Sequence, residues 1–314
     1  MAASFRLGLI GAGRMGRTHL RALAGSARVS VTAITEVSAA ARAAVPAPRA
    51  SLHESVAQML EQPLDGILIA APSDQHGAII AEVAAGGLPI LCEKPCGLTT
   101  AQARAAAQAA AAAGVPLQVA YWRRYVPALR ELRHRIAGGD LGVVHLLACY
   151  QWDEQPPSAA FRAHSGGIVI DMGVHEFDQL RWLTGQDIGT LAAVTSAAAE
   201  PGTPDVDSAQ VIAELSGGST GLVSLGRYHP AGDMARAEAF GTLGTARCDF
   251  LDPADGERVQ LAALRLQAES FADFAAGGRC EGATADDAIA ALDAAQRAAA
   301  AMPGLSGAAL RAPR

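Results

Sequence analysis

The stretch SGGIVIDMGVHEFDQLRWLTG, residues 165–185, sets Asp171, His175 and Asp178 at spacings of four and three behind the double glycine Gly166–Gly167. On a helix those spacings bring all three polar groups to one face, because residues three and four apart are neighbours there. Such a face is either solvated or half of an active site, in which an imidazole with an unperturbed pKa of about 6.5 would take a proton. Two other stretches present reactive groups. ILCEKP ends in Glu93, Lys94 and Pro95, and a lysine fixed by a following proline at a sheet's carboxyl edge can meet a substrate oxygen. AAPSDQH brings Ala71, Pro72, Ser73 and His76 to the same edge, where His76 suits a helix start and a cofactor edge equally.

A third stretch, LIGAGRMG, holds Gly11, Ala12, Gly13, Arg14, Met15 and Gly16. The first glycine of such an array permits a tight turn, the second lets a pyrophosphate approach the backbone, and the third allows close helix packing. The array follows a strand-like run and opens a helical one. Glu36 ends the next strand-like run twenty residues after Gly16, where its carboxylate can accept from an adenosine ribose and would repel a 2'-phosphate. NAD is therefore expected, with Ser38 and Arg42 close enough to keep NADP open.

The elements that must position these groups alternate in the first part of the chain. FRLGLIG, VSVTAIT, DGILIAAP, LPILCEKP and PLQVAY are short apolar runs separated by helical patterns, the mark of a parallel sheet with βαβ crossovers. After Tyr121 the pattern changes. A helix over VPALRELRHRIAGG and the strand GVVHLLACYQWD lead through the 165–185 stretch to consecutive strand candidates, GTLAAVTSA, SAQVIAEL, STGLVSLG, ARAEAFG and GTARCDF, joined by short glycine-containing links. Helices are expected over Leu264–Ala276 and Asp286–Ala301, the second capped by Thr284 with Asp287 closing a capping box. The fold class is α/β: an N-terminal Rossmann doubly wound domain over residues 1–120, then an α+β domain over 121–314 with an open, mostly antiparallel sheet.

Composition narrows the partners. Lys and Arg number 25 against 31 Asp and Glu, a net charge of -6 without a basic cluster to track a phosphate backbone, so nucleic acid is not expected. No run approaches the roughly 20 apolar residues of a membrane span, and the N-terminal apolar run is too short for a signal peptide. Cys92, Cys96, Cys149, Cys248 and Cys280 are scattered, without CxxC or ligand spacing, and read as reduced thiols of a cytoplasmic protein without a metal site.

Taken in order, GAGRMGRTH, APSDQH, CEKP, VAYWRRYVPALR, GGIVIDMGVHEFDQLRWLTG and the closing ESFADFAAGG and DDAIAALDAAQRAAA resemble the Gfo/Idh/MocA oxidoreductases, the family of glucose-fructose oxidoreductase and inositol 2-dehydrogenase. The resemblance covers nearly the whole chain. It implies NAD(P)-dependent hydride transfer on a sugar or cyclic polyol, and a homodimer or homotetramer formed through the C-terminal sheet. It also implies a catalytic set of Lys94, Asp171 and His175. The residue types agree: an Asp four residues before a His can orient the imidazole, which accepts the hydroxyl proton, and a lysine cation stabilises the alkoxide.

Around that set, Trp122 offers an aromatic face to a ring and Arg123 a donor to hydroxyls, although Trp122 and Tyr125 suit a domain junction equally. Trp152, Asp153 and His164 are weaker candidates. Asp178 is assigned to structure, in reach of Arg181 or a neighbouring strand. The family pattern fails at YHPAGDMAR, where many inositol dehydrogenases carry a Tyr-Gly-Tyr-Asp-like segment. That departure leaves the substrate open among cyclitols, aldoses and amino-sugar intermediates, with Tyr228, His229 or Asp233 as replacements for the missing tyrosine. Rival readings are a ketosugar reductase using the same groups and a cofactor-binding regulator that does no chemistry.

Overall fold

A computed structural model describes residues 4–45, 50–196 and 205–302. The first half runs β1 (Phe5–Ile10), α1 (Arg14–Leu23), β2 (Val29–Thr35), α2 (Ala39–Ala43), β3 (Ser51–His53), α3 (Val56–Leu60), β4 (Gly66–Ile69), α4 (His76–Ala85), β5 (Ile90–Cys92), α5 (Thr100–Ala112) and β6 (Leu117–Val119). These strands form one parallel sheet in the order β6-β5-β4-β1-β2-β3. The central strands β4 and β5 are apolar and buried along their length because both faces are covered. Leu7, Leu9, Ile34, Leu68 and Leu91 enter one core, while their neighbours Ala33, Ile67, Ile69, Ile90 and Cys92 enter the other beside Ile80, Val83 and Ala103. Strand β3, three half-exposed residues at the edge, has too little apolar pattern to be legible in sequence.

The second half runs α6 (Pro127–Ala137), β7 (Val144–Trp152), α7 (Ala159–His164), α8 (Ile168–Asp171), α9 (Gly173–Thr184), β8 (Ile188–Ser196), β9 (Ser208–Leu215), β10 (Thr220–Gly226), β11 (Met234–Gly241), β12 (Thr245–Leu251), α10 (Gly256–Ala275), β13 (Ala283–Thr284) and α11 (Ala285–Ala301). Its sheet has the order β12-β11-β7-β10-β9-β8 and is antiparallel except between β7 and β10. Among the described residues, no helix is long and apolar enough to cross a membrane.

The boundary expected at residue 120 separates the sheets except at the end of the chain. Strand β13 returns to pair with β6, Ala283 opposite Val119, and Ala268 and Phe271 of α10 enter the core of the first sheet. One sheet face needs that cover, which α1 alone is too narrow to provide. Helix α10 therefore begins eight residues before the expected Leu264 and spans from the second sheet to the first. Helix α11 is capped as expected, with Thr284 and Asp287 bonded reciprocally.

Candidate active site

The glycine array sits at the carboxyl ends of β1 and β4. A Cβ on Gly11, whose φ is +91°, would lie 2.6 Å from the Ala70 carbonyl oxygen, and one on Gly16 would lie 2.1 Å from the Gly11 carbonyl oxygen. Neither position can carry a side chain. Gly13 is different: a Cβ there would meet nothing within 4 Å. The turn and the helix contact are thus built from Gly11 and Gly16, and the open space above Gly13 is where a pyrophosphate can reach the amides that begin α1. Arg14 is exposed and Met15 half-buried in that first turn.

Glu36 closes the other end of this lip. Its Oε2 accepts from the Ala12 N–H at 2.9 Å and its Oε1 from the Ser38 N–H at 2.9 Å, so the carboxylate is fixed beside the glycine loop. Arg42 is turned away, with Nη1 on the Glu36 carbonyl at 2.5 Å and Nη2 on Glu54 at 2.6 Å. It is not free to meet a 2'-phosphate. On the facing edge, Ala71 and Ser73 are half-buried and Pro72 is exposed.

Two expected cofactor residues point inward. The buried His76 ring lies between the Pro95 carbonyl, 2.7 Å from Nδ1, and the Ala71 carbonyl, 2.9 Å from Nε2, and so ties two strand ends together. Glu93 accepts from Nε2 of the buried His19 at 2.7 Å and from the Lys94 N–H at 3.2 Å. Burial pushes the Glu93 carboxyl up, but His19 and Lys94 outweigh it and hold it below its ordinary value. Both residues support the crevice rather than face it.

Lys94 crosses to the second domain. Its Nζ donates to the Asp171 carbonyl at 2.5 Å and lies 3.5 Å from Asp171 Oδ1. That carbonyl is available because the helix expected over this stretch breaks at Met172, the shared boundary of α8 and α9. The His175 N–H bonds to Met172, three residues back, rather than to Asp171, four back. Gly166 and Gly167 precede the break at φ values of +81° and +84°, which other residues adopt rarely.

The break also separates Asp171 from the imidazole it was expected to orient. Asp171 lies between Lys94 and the buried Arg227, whose Nη1 is 3.5 Å from Oδ2. His175 is 6% exposed, and its sealed Nδ1 has no hydrogen-bond partner. The edges of Tyr121 and Trp122, with ring centroids at 5.6 and 6.5 Å, hold the ring instead. Burial first, then the charges of Arg123 and Lys94, push its pKa well below 6.5. The near-neutral imidazole expected from sequence is therefore corrected: this ring is uncharged at pH 7.

Trp122 and Arg123 are likewise displaced from their expected substrate roles. Trp122 is 4% exposed and packs edge-on against His175 and Phe250. Arg123, 2% exposed, is paired with Glu176 and bonded to Gln151 and Gln179. Both form the wall behind the imidazole. Asp178 is structural, but its partner is Arg124, which donates to it through Nε at 3.0 Å and Nη2 at 2.5 Å. Arg181, the expected partner, pairs with Asp187 at 2.7 Å.

Of the weaker candidates, His164 is exposed and Trp152 donates to Ser224 at 3.1 Å. Asp153 lies near the site: burial raises its carboxyl, and the charges of Asp233 and Asp171 add to the rise. Tyr228 is exposed, His229 bonds to the Gly232 carbonyl, and Asp233 accepts from the Glu154 N–H at 2.7 Å. Sequence reasoning missed Arg227. The available signal was an arginine directly after a strand whose carboxyl end faces the same crevice.

Residues 5–121 match the model described as an oxidoreductase family with an NAD-binding Rossmann fold, and residues 129–247 match the GFO/IDH/MocA C-terminal domain. The chain is 50% identical over 297 residues to the rhizopine catabolism protein MocA of Rhizobium meliloti, covering 94% of each protein. It is 31% identical over 262 residues to the scyllo-inositol 2-dehydrogenase (NAD(+)) of Bacillus subtilis, covering 78% of this chain and 74% of that protein. The structure of a putative myo-inositol dehydrogenase from Sinorhizobium meliloti superposes with a TM-score of 0.89 at 26% identity, over 95% of this chain and 97% of that one. NAD is the cofactor that the Rossmann-fold family model and the Bacillus subtilis relative's name give, and the glycine array and Glu36 fit it.

Proposed function

The chain belongs to the Gfo/Idh/MocA family of NAD-binding oxidoreductases, and on that premise we propose that it oxidises a secondary alcohol of a cyclic polyol or sugar. The observation that carries this reading is the meeting of Lys94 and Asp171 across the two domains, with a neutral His175 close enough to feel the lysine's charge. Bound NAD, held by the 11–16 loop and Glu36, supplies the hydride acceptor. Lys94 donates a hydrogen bond to the carbinol oxygen, and the hydride leaves the carbinol carbon as the C=O bond forms. The hydroxyl proton passes to His175 and then to solvent. A weakly basic imidazole suffices, because a hydroxyl whose carbon is losing hydride becomes strongly acidic, and the ring is already in its accepting form at neutral pH. Asp171 balances the lysine and fixes its position.

Two of the proteins named above, the Bacillus subtilis relative and the Sinorhizobium meliloti structure, act on inositols by their names, which supports a cyclitol before an open-chain polyol. The same groups run the reverse reduction of a ketone. A panel of inositols and pyranoses, each with NAD and NADP and followed at the reduced-nicotinamide band, tests the reading. NADH formation from a cyclitol is expected, and no reduction across the panel, with NAD bound, would favour a regulator without chemistry. The second sheet leaves one face uncovered, on which Val194 is 66%, Ile212 58% and Phe240 41% exposed. Self-association through that face into a dimer or tetramer accounts for this apolar surface, and light scattering at assay concentration checks it.

A further inference from the structure

Arg227 lies one residue beyond β10, at the edge where the parallel strands β7 and β10 both end. Its side chain is fully buried, its Nη1 is 3.5 Å from Asp171 Oδ2, and its Nη2 is 3.1 Å from Asp205 Oδ2. Asp205 is already occupied: its Oδ1 accepts from the N–H groups of Ile168 and Val206 at 3.0 and 2.8 Å, and its Oδ2 also faces Arg162 at 3.3 Å. A Cβ on Gly167 would lie 3.1 Å from that same Oδ1, so the glycine lets Asp205 reach the start of α8. Asp205 is thus an anchor, joining α8 to the end of β10. A buried guanidinium gains little from one shared carboxylate, and among the described residues the second carboxylate that pairs with Arg227 is Asp171.

We propose that Arg227 is the positioning residue for Asp171, fixing the carboxylate opposite Lys94 and drawing part of its charge away from the lysine. The proposal rests on the reading of Asp171 as a member of the catalytic set. Asp171 faces Lys94 from the end of β5, Arg227 from the end of β10, and the charge of Asp153 from the end of β7. With Arg227 sharing Asp171, more of the lysine's charge is left to favour negative charge developing on the carbinol oxygen. Without Arg227, Asp171 would cancel the lysine, and the oxygen would lose that stabilisation. Because Arg227 is buried behind Asp171, its loss should act on turnover more than on substrate binding.

The test compares Arg227→Gln, Arg227→Lys and Asp171→Asn with the wild-type chain, using the panel's best cyclitol and NAD. Arg227→Gln should lower kcat by about 10- to 100-fold with KM for NAD and cyclitol within about threefold. Arg227→Lys, which keeps the charge, should recover most of the rate. Wild-type kcat in Arg227→Gln would overturn the proposal, and a lysine variant no better than glutamine would overturn its electrostatic basis. If the glutamine variant does not fold, the lysine variant decides, with most of the wild-type kcat expected and a loss of about 100-fold or more against.

Asp171→Asn at wild-type turnover would instead remove the catalytic reading itself, a separate outcome. A substrate-free arm follows Tm. The loss caused by an Arg227 variant should be smaller by about 2 °C in the Asp171→Asn background than in wild type. An unchanged loss would overturn Asp171 as the partner.

Discussion

Replacing Asp178 with Asn separates the two acids of one helical stretch. Asp178 is 1% exposed and takes a two-point contact from Arg124, whose third nitrogen, Nη1, lies 3.1 Å from Asp287 and 3.2 Å from the Gly282 carbonyl. Removing one partner of a buried pair costs about 3–5 kcal/mol when the remaining charge is stranded. Here Asp287 stays on the guanidinium and Asn can still accept one bond, so the expected loss is about 2–3 kcal/mol. At about 2 °C per kcal/mol for a chain of this size, Tm should fall by about 4–6 °C. Turnover per folded molecule, measured at least 10 °C below the new midpoint, should stay near wild type. Asp171→Asn should do the reverse: its side chain is 15% exposed and its ion pairs are long at 3.5 Å, so Tm should move little while turnover falls by about 10². Calorimetry and NADH formation on both variants decide. A stable but inactive Asp178→Asn, or an unstable but active Asp171→Asn, would refute the assignment.

Gly13→Ala should fold normally, since its φ is -68° and its Cβ meets nothing, but raise KM for NAD by about tenfold or more; Gly16→Ala, whose Cβ would press on a backbone oxygen, should lose about 2 kcal/mol or more by thermal melt. Because the folded-state pKa of His175 is depressed, the unfolded chain binds the extra proton first, so this residue's contribution is intact above about pH 6.5 and is lost as pH falls below it. Tm measured from pH 7.5 to 5 should therefore fall less steeply in His175→Asn than in wild type, and parallel curves would contradict the buried, uncharged ring. Glu36→Ala should raise KM for NAD and narrow the NAD-to-NADP preference, and steady-state kinetics with both cofactors would expose an unchanged ratio.

The first sheet was legible because strands buried on both faces stand out as apolar runs, and because Gly11, Gly13, Gly16 and Glu36 have local jobs that local spacing encodes. The return of β13 and the early start of α10 were not. A two-residue strand has no period, and the Asp255–Arg258 turn of α10 is polar and exposed, so neither announces itself before the fold is assembled. Within the site, Lys94 and Asp171 were found together, since both lie at ends of elements. Residue type leaves other placements open. Trp122 suits a junction and His76 a helix start as well as the crevice, Arg123 and Glu93 suit the crevice by type, and which way such groups turn depends on buried partners distant in sequence. Glu176 and Gln151 draw Arg123 inward, and His19 does the same for Glu93. The helix break at Met172 was equally hidden, as spacing alone assumes an unbroken helix.

Lys94 bonds across from the first sheet's edge to Asp171, and its replacement by Met tests the central claim most directly. Turnover of the panel's best cyclitol should fall by about 10² or more while NAD affinity, read by fluorescence titration, stays within about threefold. Turnover within about threefold of wild type, at unchanged NAD affinity, would contradict it.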